Sequence, residues 1–223
     1  MSKTSSLRCL ITAGPTHEYI DPVRYISNPS TGKMGFALAQ AALELGWSVD
    51  LVSGPVHIEE PEGAILYPVV SAESMFQQVD ALFDACDICI MSAAVSDFTP
   101  VKYSQTKEKK ATANRTLHLA QTIDILKTLS HRKNGQFIVG FAAETDDLEA
   151  NARRKLEEKA CDWIVANPVG REGIGFGSDT NEITLYKKDG SQSHHGPTSK
   201  LALARTIVQA IADTLKESEN KQR

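Results

Sequence analysis

Short apolar runs alternate with longer stretches of helical periodicity along most of this chain, and no other feature constrains the fold as strongly. Strands are expected at Cys9 to Ala13, Ser48 to Ser53, Ile65 to Val70 and Asp87 to Ser92, with helices at Lys33 to Leu45 and Ala72 to Ala85. The alternation resumes with a helix at Ile123 to Arg132, a strand at Gln136 to Phe141, a helix from about Leu148 to Ala160, a strand at Trp163 to Ala166 and a last helix at Ser199 to Lys216. Such a series predicts an α/β fold, a Rossmann-like doubly wound and mostly parallel sheet. Between the halves, Asp97 to Gln121 is polar and lysine-rich and ends in the alternating TLHLA, which reads as a flap or hairpin excursion. A second hairpin, Glu182 to Tyr186 turning at Asp189-Gly190, precedes the last helix. The chain has 223 residues, 41% of them hydrophobic, enough to bury one sizeable core. A single domain over 1–223 is therefore expected, ordered from about 7 to 215, with 216–223 as a frayed charged tail.

Charge and cysteine content narrow the partners. Lysine and arginine number 24 against 28 aspartate and glutamate, a net charge of −4, and the one compact basic cluster is Lys107, Lys109 and Lys110. Nucleic acid and anionic membrane are poor partners for such a chain. No run of 18 apolar residues occurs and the first residues carry no cleavage-like pattern, so a cytoplasmic protein is expected. Four cysteines are too few to staple a domain of this size. Cys86 and Cys89 form a C-x-x-C, but it runs straight into an apolar strand with no second pair or nearby histidine, so buried thiols are expected rather than a redox or metal pair.

Connections in parallel sheets usually take about 2 to 6 residues. Here about 19, GPTHEYIDPVRYISNPSTG, separate the first strand from the first helix. They lie where doubly wound folds bind ligands, beyond a strand's carboxyl end and before a helix N-terminus. Gly14 opens the stretch, and Ser30, Thr31, Gly32, Lys33, Met34 and Gly35 lead into the helix. These glycines would let backbone N–H groups approach an anion, against the plain alternative of an ordinary helix start. The stretch is not a Walker A loop, since Ser27 stands where glycine is needed and Met34 replaces the magnesium-holding hydroxyl. It is close to G-x-G-x-x-G, with Asp50 further on, and Tyr103 to Lys107 forms a Tyr-x-x-x-Lys of the short-chain dehydrogenase kind, so an NAD(P) oxidoreductase is the competing reading. That pair, however, lies in a Pro-flanked polar segment, and the long insertion spoils the tight turn a pyrophosphate needs.

Other candidates fall at the same sheet edge. Asn28, held extended by Pro29, is a turn residue or an uncharged amide able to donate to a carboxylate and its activated ester. Met91, Ser92 and Ala93 end a strand with small residues that admit a base or phosphate, and Asp97 could position magnesium or an amine, or merely cap a turn. Phe141 closes the core or packs on a nucleobase. Lys155 and Lys159, four apart on one helix beside Arg153 and Arg154, are a solvated stripe or, with Lys107, the cations around a triphosphate. The glycine-rich GREGIGFGSDTN reads as a flexible crossing or lid.

Taken together, the stretch TAGPTHEYIDPVRYISNPSTGKMGFALA, then MSAAVSDF, KEKK, VGFAAET, the Lys155 and Lys159 pair, VANPV and GFGSDTNEITL resemble phosphopantothenoylcysteine synthetase from about Leu7 to Leu215, closest to the bacterial CTP-using form. The resemblance implies a ligase of coenzyme A biosynthesis. In it, 4′-phosphopantothenate and CTP, with Mg2+, give an acyl-cytidylate and pyrophosphate, and the amine of L-cysteine then displaces CMP. It implies Asn28 as the residue handling the phosphopantothenate carboxyl and Lys107 as the first lysine of the family's K-x-K-K. Met91, Ser92, Ala93, Asp97, Ile123, Asp124, Ile125, Leu126, Phe141, Lys155 and Lys159 are implied as nucleotide contacts. It further implies a homodimer, and a standalone chain whose partner decarboxylase lies on another chain. Departures from the bacterial pattern at Ile123 and Pro168 keep an ATP-using version of the same ligase open.

Overall fold

The computed structural model describes residues 6–107, 116–144, 146–168 and 177–222. One eight-stranded sheet dominates it. Its six parallel strands are, in chain order, β1 (Arg8–Ala13), β4 (Ser48–Ser53), β5 (Ala64–Pro68), β6 (Ile88–Met91), β9 (Phe137–Glu144) and β10 (Trp163–Pro168). Two antiparallel strands, β11 (Thr180–Lys187) and β12 (Gln192–Ser199), extend one edge. Across the sheet the order is β12-β11-β10-β9-β6-β1-β4-β5. The chain thus winds outward from β1 through β4 to β5, then returns to the other side of β1 and winds outward again through β6, β9 and β10. At β1 and β6 the connections diverge, which leaves a crevice beyond their carboxyl ends.

Each central strand is buried on both faces, which accounts for its nearly unbroken apolar sequence. Alternate residues feed two cores. Cys9, Ile11, Val49 and Leu51 meet Phe36, Leu38 and Ala42 of α1 (Lys33–Glu44) and Leu203, Ile207 and Ile211 of α5 (Lys200–Gln222). On the other face Leu10, Val52, Cys89 and Ile138 meet residues of three helices. These are α2 (Ala72–Phe83), α3 (Ile125–Ser130) and α4 (Leu148–Glu158). A Ser71–Ser74 capping box starts α2, and the Asp124 carboxylate caps α3 by accepting from Lys127 N–H at 3.0 Å.

Three expectations need correction. The long first loop contains a hairpin of its own, β2 (His17–Tyr19) paired with β3 (Tyr25–Ser27), closed by an aspartate turn in which Asp21 accepts from the N–H groups of Val23 and Arg24, both at 2.9 Å. Ile123 and Asp124 precede α3 rather than belonging to it. The charged stretch expected to fray continues α5 as far as Gln222. The excursion does leave the sheet as a hairpin, β7 (Phe98–Pro100) against β8 (Leu119–Gln121), its base tied by Thr122 N–H to Asp97 O at 3.0 Å. Lys109 and Lys110 at its centre lie outside the described residues, as do residues 170–176 of the glycine-rich stretch. Among the described residues no helix is long and apolar enough to cross a membrane.

All four cysteines are free and buried. Burial pushes the Cys9 thiol well up, a hydrogen bond with Cys86 together with burial does the same for Cys89, and burial raises Cys161 to about 12. The C-x-x-C is accordingly a pair of packed thiols. A thiol-exchange reagent at neutral pH is expected to modify none of the four in the native protein and all four after denaturation; rapid native modification of any one would show that its side of the core opens.

Candidate functional site

The crevice is held open by a set of cross-links between the ends of β1 and β6. Thr12 is fully buried, and its carbonyl accepts from Ser92 Oγ at 2.6 Å while its hydroxyl accepts from Ala93 N–H at 3.1 Å. One step further, Ala94 N–H donates to Gly14 O at 2.9 Å, and Thr16 Oγ1 accepts from Ser96 N–H at 2.9 Å. The chain beyond β6 therefore runs alongside the chain beyond β1 instead of splaying from it. Asn28 joins them from β3, its amide nitrogen donating to Ala94 O at 3.1 Å and to Val95 O at 3.0 Å. Both amide hydrogens are engaged, so as built Asn28 offers the cleft its oxygen. The donor role suggested by sequence requires those two bonds to open.

On the α1 side the wall is the Ser30–Gly35 loop. Gly32 caps α1 with φ at +78°, a left-handed conformation that glycine takes without strain. A Cβ on Gly35 would stand 2.5 Å from Ala13 Cβ and 2.8 Å from Ser92 Oγ, so only glycine lets the first turn of α1 settle on the end of β1. No side chain caps this helix start. Lys33 reaches sideways, its Nζ 2.6 Å from Asp179 Oδ1 and 3.2 Å from Gly177 O.

The opposite wall is built by the start of α3, the end of β9 and the inner side of α4. Lys155 Nζ donates to Glu144 Oε1 at 2.7 Å, and Lys159 pairs with Asp124. Burial works to raise the Asp124 carboxyl, but donation from Lys159 and from Lys127 N–H outweighs it and leaves the group below the usual carboxylate range. Together these walls enclose a cleft of about 760 Å³.

The structure brings nearly all the expected residues to this cleft. Asn28, Ser30, Thr31, Gly32, Lys33, Gly35, Met91, Ser92, Ala93, Asp97, Ile123, Asp124, Ile125, Leu126, Phe141, Lys155 and Lys159 all line it. Two do not. Gly14 lies beneath the loop as a partner of Ala94, and Lys107 is exposed on the excursion, away from the lining. Tyr103, the other half of the dehydrogenase-like pair, is 51% exposed and likewise outside. Sequence reasoning missed Thr12, Asn167 and Asn181, buried polar residues at strand ends that also line the cleft. The only signal for Thr12 and Asn167 was a polar residue breaking an apolar run, and Asn181, in the polar stretch SDTNE, carried none. Among the described residues no three histidine, cysteine or carboxylate side chains gather as a metal site. Of the cleft's aspartates, Asp124 is engaged by Lys159, which makes Asp97 the one suited to a magnesium ion carried in mainly by phosphates and water.

A wider depression of about 870 Å³ adjoins the cleft between the β2–β3 hairpin and α2. Among the described residues its lining includes Glu18 and Glu73 but no lysine or arginine. A polyanion is therefore directed to the first cleft, where Lys33, Lys155 and Lys159 and the uncapped helix start converge.

The model of the DNA/pantothenate metabolism flavoprotein C-terminal domain family matches residues 4–215. The coenzyme A biosynthesis bifunctional protein CoaBC of Bacillus subtilis (strain 168) is 50% identical over 210 residues, covering 94% of this chain and 52% of that protein. Its counterpart in Vibrio vulnificus (strain YJ016) is 47% identical over 205 residues, covering 91% and 51%. The chain thus spans about half the length of the curated relatives it matches. A crystal structure of the C-terminal domain of a CoaBC protein superposes with a TM-score of 0.81 at 40% identity, covering 95% of this chain and 96% of that one.

Gly35→Ala tests how the phosphate-side wall is set. The added methyl must displace Ala13 or lift α1, at about 1–3 kcal/mol. A lowered thermal midpoint together with weakened nucleotide binding by calorimetry is expected; native affinity would show that the close approach of α1 to β1 does not set the wall.

Proposed function

The chain belongs to the family of the DNA/pantothenate metabolism flavoprotein C-terminal domain, the phosphopantothenoylcysteine synthetases, and we propose that it joins 4′-phosphopantothenate to L-cysteine in coenzyme A biosynthesis, with CTP as the activating nucleotide. The observation that carries this reading is the cleft at the switch point. It places a bare helix start and Lys33 on one wall, Lys155 and Lys159 on the other, and the Asn28 amide between them.

The first half-reaction joins a carboxylate oxygen of 4′-phosphopantothenate to the α-phosphorus of the nucleotide and breaks the bond to pyrophosphate. Two anionic groups must approach each other, so the site has to supply positive charge before chemistry can occur. The α1 N–H groups do so at fixed positions, while the three lysines, paired at rest with Asp179, Glu144 and Asp124, turn from those carboxylates to the phosphates. Magnesium, when bound, neutralises further triphosphate charge, with Asp97 as its protein carboxylate. In the second half-reaction the cysteine amine attacks the acyl carbon and the nucleoside monophosphate leaves. The Asn28 oxygen, turned to the cleft because its nitrogen is engaged by Ala94 O and Val95 O, can orient that amine.

Lys107 enters this scheme by motion. It stands on the exposed excursion, and closing that hairpin over bound nucleotide would bring a point charge to the phosphates. Tyr19, Tyr25, Phe98, Val101 and Tyr103 form an exposed apolar and aromatic surface on the two hairpins flanking the cleft. Such a surface supports pairing of two copies of the chain. We place the ligase in the cytoplasm, with a phosphopantothenoylcysteine decarboxylase as the next enzyme.

Pyrophosphate release is expected to require 4′-phosphopantothenate and to run faster with CTP than with ATP; equal rates would remove the CTP assignment, and reduction of a nicotinamide would revive the oxidoreductase. Asn28→Ala is expected to lower turnover by roughly one to two orders of magnitude in a folded protein, its lost backbone ties costing about 1 kcal/mol each. Wild-type turnover in that variant would exclude a role for the amide. Lys107→Gln is expected to reduce product formation strongly at an unchanged thermal midpoint, with Lys110→Gln much milder. Equal, wild-type rates in both would return the cluster to a solvated surface.

A further inference from the structure

Among the described residues, one buried side-chain polar atom has no hydrogen-bond partner: the Oδ1 of Asn181. The residue is 5% exposed and lines the cleft. Its backbone is firmly placed. It pairs with Thr198 of β12, a register shift follows between Asn181 and Ile183, and a Cβ on Gly196 would stand 2.8 Å from its carbonyl oxygen. Ile183 and Leu185, on the same side of β11, belong to the core beneath α1 and α5. The amide therefore lies on the phosphate-loop face of the sheet. Two residues earlier, Asp179 accepts from Lys33 of that loop.

An uncompensated buried acceptor destabilises the fold, and a valine or leucine would remove the penalty. Its presence beside a ligand cleft points to a partner that arrives with the ligand. The chemistry of that partner is restricted, since an amide oxygen takes only a donor. Triphosphate and carboxylate oxygens are acceptors and do not fit. On the ligase reading the base takes the opposite wall, which Phe141 and Lys159 line, and with it its amino group. An ammonium is disfavoured where Lys33 and Lys200 already share the surroundings of Asp179. Neutral donors remain, a hydroxyl or an amide N–H; 4′-phosphopantothenate carries both, and in a nucleotide the ribose hydroxyls lie between the base and the phosphates, where they reach a wall that the phosphate loop shares.

We infer that Asn181 is a specificity-determining residue that accepts a hydrogen bond from a ribose hydroxyl of the bound nucleotide. This rests on the ligase reading for the identity of the nucleotide, and on the orphaned oxygen for the contact itself.

The test compares calorimetric binding of CTP and 2′,3′-dideoxy-CTP to the full chain in wild type, Asn181→Ala and Asn181→Leu, using the adenosine pair instead where ATP binds tighter. Wild type is expected to prefer the ribonucleotide by about ten- to a hundredfold, and both variants to bind the two nucleotides equally. Without nucleotide, the thermal midpoints of the variants are expected to match or exceed wild type, because a buried acceptor without a partner has been removed. A wild-type ratio near one, or the wild-type ratio retained in either variant, overturns the assignment. A raised KM for cysteine with the nucleotide ratio retained overturns it in favour of an amine contact. Absence of pyrophosphate release from wild type with either nucleotide, 4′-phosphopantothenate and cysteine is instead a failure of the ligase reading, and the binding ratio still decides the role of Asn181.

Discussion

The site depends on the way Thr12 ties the end of β1 to the end of β6. A doubly wound sheet diverges at its switch point, and the two chain directions leave a gap that water or ligand fills. Here the gap is bridged at its floor by bonds to both oxygens of one buried threonine, with the Gly14–Ala94 contact immediately beyond. The small residues Ser92, Ala93 and Ala94 run close under the loop from β1. Gly35 allows α1 to rest on the same strand end, against Ala13 and Ser92. The floor is thus close-packed backbone, and the chemistry-bearing side chains stand around it on elements that the two cores hold rigid.

Charge is arranged differently from shape. In the resting cleft each lysine has a carboxylate: Lys33 with Asp179, Lys155 with Glu144, Lys159 with Asp124. These pairs are partly exposed, so each contributes little to stability, about 0–1 kcal/mol. Their effect is on readiness for ligand. The carboxylates keep three cations from repelling one another and hold the ammonium groups at the rim. On the proposed ligase reading, a triphosphate carries more negative charge than any one carboxylate and would draw the lysines inward. Because the exposed pairs are screened by salt while the enclosed ligand contacts are screened less, rising ionic strength weakens the resting arrangement and the encounter more than the final complex.

The sheet was legible because its strands are buried on both faces and its helices on one, which writes two distinct periodicities into the chain. The β2–β3 hairpin was not. Strands of three residues such as His17–Tyr19 are too short to establish a period, and the Asp21 turn between them depends on a side-chain contact that composition does not display. The motif residues were located correctly wherever they sit at strand ends or helix starts, since topology alone gathers those positions at one edge. Lys107 was not so constrained: a residue on a hairpin that leaves the sheet can lie near the edge in sequence and outside the cleft in space. The orientation of Asn28 was not legible, because which atom of an amide is engaged depends on the Ala94 and Val95 carbonyls contributed by a segment about sixty-five residues away.

Asn167 and Asn181 show where sequence patterning reaches its limit. Asn167 ends an apolar strand and Asn181 lies in the polar start of β11, and a polar residue at a strand end is ordinarily taken as the point where the chain enters or leaves the core. Burial reverses that interpretation, because both side chains are enclosed here, Asn167 at 9% and Asn181 at 5% exposure. Under that cover a polar group must be paired within the protein or supplied with a partner from outside. The backbone around Asn181 is pinned by β12 and by the close approach of Gly196, and its side-chain oxygen has no hydrogen-bond partner among the described residues. The same packing that makes the cleft rigid therefore leaves its far wall chemically incomplete, and the ligand supplies the missing donor.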